Sequence, residues 1–260
     1  MKKLSVLLLA LLVLTACGQK NDEKIIKVAS HMEPMTDVVK VAAEEIKASG
    51  YEIELINVSD NKQANVALND GEVDANFFQH VPFMEAFNTA TNGQLVGIAP
   101  IYDAKVGFYS KTFNSKDEIK EGAKVAIPND DANQARALLI LQDHKLLTLT
   151  PGKVRDARIE DIVDNPLNLE FVDVDLLTLT HAYEEVDMVF NYPTYIGKIG
   201  LKPADALMLE NSDTYYSISL VAREDNKDSD KIKALTKAMQ SEAVKNFLET
   251  EHGDTLVPSF

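Results

Sequence analysis

A chain of 260 residues with 41 acidic against 26 basic side chains carries a formal charge of −15. That balance argues against a nucleic-acid partner, which wants a basic patch, and against electrostatic adhesion to anionic lipid. A single cysteine leaves no disulfide framework, and a chain of this size needs none to bury a core.

Lys2 and Lys3 make a basic start, and residues 4–14 are an apolar run too short to cross a bilayer, which takes about 20 residues. The run reads as the hydrophobic part of a signal peptide, residues 1–16, and is set aside from the fold. It ends in Leu14-Thr15-Ala16-Cys17-Gly18. Small residues before a cysteine resemble a lipobox, in which the cysteine takes a diacylglycerol and the peptide is cut before it. The plainer alternative is an ordinary secretory signal with a stray cysteine, but Cys17 is the only cysteine and sits at the expected boundary. Cleavage removes two lysines and leaves the chain more acidic still, so acyl chains rather than charge supply the membrane attachment. Residues 17–24 are then the lipidated Cys17 and a polar, flexible tether.

From residue 25 strand-like and helix-like segments alternate. Residues 25–29 predict a strand, and 35–49 a helix with Val38, Val39, Ala42 and Ile46 on its apolar face. A strand over 51–58 and a helix over 63–69 follow. A turn and short strand fill 71–77, a helix with proline in its first turn 82–88, and strands 95–100 and 106–109. The pattern then restarts with a short helix at 116–120 and a buried strand at 125–127 that Pro128 stops. Residues 132–142, rich in Ala, Leu and Gln, predict a helix. Beyond it come a short helix at 159–164, a strand at 169–174, a helix at 176–183, strands at 186–190 and 218–222, and one long amphipathic helix over 230–248. This order predicts an α/β fold of two lobes, each a mainly parallel sheet flanked by helices. Residues 25–106 with 216–260 make the first lobe and 107–215 the second, joined by strands or short crossings. Ligands of such sheets bind off the carboxyl ends of strands. The cleft between the lobes is therefore the expected site, and its closure a hinge motion.

Three stretches supply candidate ligand groups. Asn129, Asp130 and Asp131 are turn and N-cap residues at a helix start, where free N–H groups and the dipole favour an anion. Asn133 and Arg136 are three apart and share a face, and the arginine's planar fork suits a carboxylate. Local spacing by itself favours the plainer reading, a helix end satisfied by its aspartates beside a solvated arginine; the rest of the chain changes that balance. Phe77, Phe78, His80 and Phe83 gather where a strand gives way to a helix, and such a group holds an apolar ligand side chain as well as it packs a strand on a helix. Asn191 ends a strand before Tyr192-Pro193; its amide suits a ligand ammonium or carboxylate, or simply a turn.

Several motifs together resemble the methionine-binding lipoproteins, the substrate-binding components of methionine ABC importers. They are Asp74-Ala-Asn-Phe-Phe-Gln-His80, Gly107-Phe-Tyr-Ser-Lys111, Ile127-Pro-Asn-Asp-Asp-Ala-Asn133, the Arg136-Ala-Leu-Leu run and Val189-Phe-Asn191. The likeness runs in order over nearly the whole mature chain. It implies a periplasmic-binding-protein-like fold of two lobes with a free amino acid in the cleft. It places Phe78 and His80 around the thioether side chain, Arg136 with Asn133 on the ligand carboxylate, and Asn191 at a strand end. The chain departs from the family at Asn61 and Phe83, where tyrosines are usual, and at Ile218, where an asparagine is frequent. Tyr192-Pro193 is followed by one extra residue, and the opening loop His31-Met-Glu-Pro34 is unusual, with Glu33 in reach of the cleft. The resemblance points to methionine first, and the departures leave room for another amino acid, a modified methionine or a short peptide.

Other classes find less in the sequence. An extracytoplasmic enzyme would be expected to show a Gly-x-Ser-x-Gly elbow or a Gly-rich phosphate loop, and neither is present. A metal-binding lipoprotein would draw on His31, His80, His144, His181 and His252, which are scattered without a short pair. A surface adhesin would show repeats, and there are none. No cofactor or metal is expected. With no nucleotide-binding motif, energy for transport falls to partners: a membrane permease and a separate ATPase.

Overall fold

The computed structural model describes residues 22–211 and 214–260. The expected signal peptide, Cys17 and most of the tether lie outside the described residues. Among the described residues no helix is long and apolar enough to cross a membrane.

The first stretch runs β1 (Ile25–Ser30), α1 (Met35–Glu45), β2 (Glu52–Asn57), α2 (Asn61–Asn69), β3 (Ala75–His80), α3 (Val81–Thr91) and β4 (Leu95–Ala104). The middle stretch runs β5 (Gly107–Tyr109), β6 (Lys124–Pro128), α4 (Asp131–Asp143), β7 (Thr148–Leu149), β8 (Ile162–Asp164), β9 (Glu170–Val174), α5 (Leu179–Ala182), β10 (Met188–Asn191), α6 (Pro193–Ile196) and β11 (Met208–Leu209). The chain then returns through β12 (Ile218–Arg223), α7 (Asp230–Met239), α8 (Glu242–His252) and β13 (Leu256–Pro258).

Two lobes result, each built on one sheet. The first sheet has the order β13-β4-β12-β3-β1-β2 and the second β11-β5-β10-β6-β9, while β7 and β8 pair apart. β1 runs parallel to β2 and β3, and β6 parallel to β9 and β10. These are the pairs that helical crossovers connect. The rest of each sheet is antiparallel: β12 against β3 and β4, β13 against β4, β5 against β10 and β11. The expected parallel arrangement thus covers one half of each sheet. β4 and β5 on the way out, and β11 and β12 on the way back, all lie in the antiparallel halves. A strand arriving from the other lobe needs no crossover helix to fix its direction.

Apolar periodicity explains the core. Ile26, Val28 and Ala29 of β1 are buried, as are Val38, Val39 and Ala42 of α1. In the second lobe Val125, Ala126 and Ile127 of β6 lie beside Val189 and Phe190 of β10, all fully buried. Each large side chain so buried contributes about 1.5–3 kcal/mol.

Several elements differ from the sequence expectation; the expected helix at 116–120, for one, is a 3-10 turn, Lys116–Glu118. The expected helix at 159–164 is a 3-10 turn, Ile159–Asp161, followed by β8. The Asp161 carboxylate takes the Arg158 amide at 2.9 Å and closes the turn, leaving β-branched Ile162 and Val163 to pair. The helix at 176–183 shrinks to α5, because Asp175 accepts the Leu177 amide at 2.9 Å and holds a turn there. β4 does not stop at Pro100; the proline sits opposite Ser219 beside a register shift, where a missing donor is tolerated. The single C-terminal helix is two, α7 and α8, parted at Gln240 and Ser241.

Candidate functional site

Every residue of β3 is buried, and the strand ends on His80 at the lobe interface. His80 also caps α3: its Nδ1 accepts the Phe83 amide at 3.2 Å. With Nδ1 accepting, the ring proton belongs on Nε2, which donates to Asn133 Oδ1 at 3.1 Å. Burial, then the charge of Arg136, lowers the His80 pKa to about 3 against the opposing bond to Asn133, so the ring is neutral near pH 7. β3 belongs to the first lobe and α4 to the second, so this bond crosses the cleft.

On the other wall, β6 runs out at Pro128 and Asp130 caps α4. Its carboxylate accepts the Asn133 amide at 3.0 Å and the Asn133 Nδ2 at 2.9 and 3.0 Å. Burial raises the Asp130 pKa despite these bonds. Asn133 Oδ1 accepts a second bond from the Tyr192 hydroxyl at 2.6 Å, and that oxygen accepts from Arg136 Nη1 at 2.7 Å. Arg136 Nε donates to Glu210 Oε1 at 2.7 Å, and Nη2 donates to Glu210 Oε2. The guanidinium is 2% exposed and lies 5.1 Å from the Tyr192 ring centre and 4.6 Å from that of Tyr216. Burial works to lower the Arg136 pKa, but Tyr192 and Glu210 outweigh it and hold it above its ordinary value. The result is one hydrogen-bonded chain from His80 to Glu210.

A cavity opens against this chain. Its apolar walls are Met35, Phe78, Phe83, Leu176 and Ile218, and its polar groups belong to Asn61, Gln79, His80, Tyr102, Asn133, Tyr192, Thr194 and Tyr195. In this closed arrangement its internal free space is about 40 Å3. Phe78 meets Phe83 edge to face at 6.1 Å, and His80 meets the Tyr216 ring likewise at 5.2 Å. Burial pushes the Tyr195 hydroxyl up to about 12, with Asn61 as its hydrogen-bond partner working the other way.

The structure brings five of the sequence-derived residues to this cavity: Asn61, Phe78, His80, Phe83 and Asn133. Arg136 does not line it but lies behind Tyr192, one hydrogen bond away. Asn191 is fully buried at the end of β10; its Oδ1 accepts the Tyr192 amide at 3.0 Å and its Nδ2 donates to Thr180 at 3.2 Å. Glu33 lines a neighbouring groove with His31, Lys40 and Lys198. Sequence reasoning did not name Met35, Gln79, Tyr102, Leu176, Thr194, Tyr195 or Glu210 as site residues. For Gln79 a signal existed: an amide directly after Phe77 and Phe78 needs partners, and it finds Asn65 and Asn76 at 2.8–2.9 Å. For Glu210 there was none, because it lies 74 residues from Arg136.

The comparisons agree with this architecture. A family model described as NlpA lipoprotein matches residues 26–260. Lipoprotein 28 of Escherichia coli strain K12 is 39% identical over 259 residues, spanning 98% of this chain and 95% of its own. Methionine-binding lipoprotein MetQ of Bacillus subtilis strain 168 is 36% identical over 272 residues, 99% of each. A nutrient binding protein from Burkholderia cenocepacia, solved bound to methionine, aligns with a TM-score of 0.86 at 33% identity, over 90% of this chain and 100% of that one. With a family match over almost all of the described chain and relatives at this identity, the chain belongs to the NlpA lipoprotein family.

Proposed function

We propose that the protein is the solute-binding component of an ABC importer. It is anchored by lipid at Cys17 on the extracytoplasmic face of the cell membrane. It binds a free amino acid, methionine first, between residues 25–106 with 216–260 on one side and 107–215 on the other. It then delivers the ligand to a membrane permease driven by a separate ATPase. The observation that carries this is a cavity with aromatic and aliphatic walls at one end and, at the other, a buried arginine reached through Tyr192. Of the five N–H donors of a guanidinium, Glu210 takes two and Tyr192 one, so donors remain for a carboxylate. Such a carboxylate, entering from the cavity, meets the Tyr192 hydroxyl first and Arg136 behind it. A thioether side chain suits the walls of Phe78, Phe83, Leu176 and Ile218, because sulfur packs well against rings. The names of the relatives, methionine-binding among them, support the same reading.

A short peptide is the second reading, and one observation favours it. An open groove of about 830 Å3, lined by His31, Glu33, Lys40 and Lys198 among others, shares Thr194 with the cavity and gives a longer ligand somewhere to extend.

Thermal shift on protein freed of retained ligand tests both. A ligand that binds only the folded state at a hundredfold excess over its Kd adds about 2.7 kcal/mol, so methionine should raise the Tm. A shift with another amino acid or a methionine peptide, and none with methionine, replaces the ligand; no shift with any of them removes the amino-acid class. The anchor has its own test. Cys17→Ala should leave the protein soluble or unprocessed, and a variant still processed and firmly held in the membrane fraction would end the lipoprotein assignment for this chain.

A further inference from the structure

Among the described residues, none of those lining the cavity is Asp, Glu, Lys or Arg. His80, the one lining residue of a type that ordinarily titrates near neutrality, is held uncharged by burial. The formal charges stand one layer back. Arg136 is there, its Nε and Nη2 closed by the two oxygens of Glu210, and so is Asp130 behind Asn133. Glu210 is not on a free loop. Its amide donates to the Val106 carbonyl at 2.8 Å, where the strand returning to the first lobe passes the one leaving it. Its carboxylate is therefore fixed to the hinge, and its side chain is 13% exposed.

We propose that Glu210, without touching the cavity, fixes the charge of the ligand this cleft accepts, selecting a zwitterionic amino acid over the isosteric anion with a hydroxyl in place of the ammonium. The proposal rests on the amino-acid reading above and deepens it. A carboxylate that reaches Arg136 meets a cation already balanced by Glu210, with Asp130 close behind. An anionic ligand brings an uncompensated negative charge into a closed, low-dielectric cleft, which is costly. A zwitterion brings its own compensation, and its ammonium gains from the negative charge that Asp130 holds behind Asn133. Without Glu210 the Arg136 charge stands uncompensated, and an anion becomes the better complement.

The experiment compares methionine with 2-hydroxy-4-(methylthio)butanoate, the hydroxy acid of the same skeleton, by calorimetry on the wild type and on Glu210→Gln. Both ligands carry the same carboxylate, so any misplacement of Arg136 weakens both and cancels in the ratio of their Kd values. The wild type should prefer methionine by at least about tenfold, and Glu210→Gln should shrink that preference by about tenfold, roughly the effect of one nearby charge partly screened. Should Glu210→Gln not fold, Arg136→Gln removes the opposite charge and should move the preference the other way, further toward methionine. A wild type with no preference, or a ratio unmoved in whichever variant folds, overturns the proposal while leaving the amino-acid site standing. A wild type that binds neither acid overturns the reading of the cleft itself, and this proposal with it.

Discussion

Arg136 is the bulkiest of the fully buried side chains, and its environment decides what its removal does. On the proposed reading a ligand carboxylate pairs with it in the closed cleft, and truncation then costs about 2–5 kcal/mol of binding, because the other charge stays buried and unpaired. Arg136→Ala should therefore weaken ligand binding by about thirtyfold to several thousandfold. Arg136→Lys should recover part of this, since an ammonium cannot reproduce the fork. Calorimetry on wild type and variant, each with the free and the carboxyl-amidated ligand, checks the claim: additive losses would mean that the guanidinium does not act on the carboxylate. The same truncation also leaves Glu210 unpaired, so it should lower stability as well as affinity, and a variant with unchanged Tm would show that the ion pair contributes nothing. The spacing of Asn133 and Arg136 on one helical face was legible in the sequence, because three residues apart is a local relation. The roles of their partners were not. Tyr192 and Glu210 lie 56 and 74 residues from Arg136, and only the fold brings them there.

Elements were legible where the buried face kept one period. α4, with Asp130 as its cap, follows its sequence expectation to within a residue at each end. The C-terminal helix shows why a period can mislead. Ile232, Leu235 and Met239 are buried in α7, and Val244 and Leu248 in α8. The step from Met239 to Val244 is five residues, which one continuous helical face does not take. The cause is Ser241, extended at φ −78° and ψ 158°, whose hydroxyl accepts the Val244 amide at 3.3 Å and starts a new helix. Glu242 in the first turn adds to the same end. Ser241→Ala should lower stability by about 1 kcal/mol, read as a fall in the denaturant midpoint at unchanged slope, with ligand affinity intact. No change in the midpoint would mean that packing alone, not the cap, sets the break. Asp60 plays the same part for α2, accepting the Lys62 and Gln63 amides at 2.7 and 3.2 Å, and it starts that helix at Asn61, two residues before the apolar period suggests.

At the scale of the whole molecule, the two lobes touch through a bond that acid should break. His80 Nε2 donates to Asn133 Oδ1 across the cleft, and in this closed arrangement the ring's pKa is lowered to about 3. Opening the lobes exposes the ring to water and returns it toward the ordinary value of about 6.5. The open state therefore binds the proton more readily. Closure is at full strength above about pH 6.5 and weakens as the pH falls from there toward 3, by up to about tenfold per unit. Ligand that requires closure should lose affinity along the same course. The charged groups around His80 do not all push this way. Arg136 contributes to the lowered value, but Asp130, behind Asn133, has a carboxyl held above its ordinary range by burial. A carboxyl raised in the closed state favours closure as the medium becomes acidic, at the lower pH where it takes up its proton, and so flattens the acid end of the profile. His80→Gln separates the two, because the amide can still donate to Asn133 and cannot titrate in this range. Calorimetric Kd values between pH 5 and 8 should rise as the pH falls in the wild type and stay level in the variant. Equal slopes in both proteins would place the titrating group elsewhere and leave His80 as the cap of α3 and nothing more.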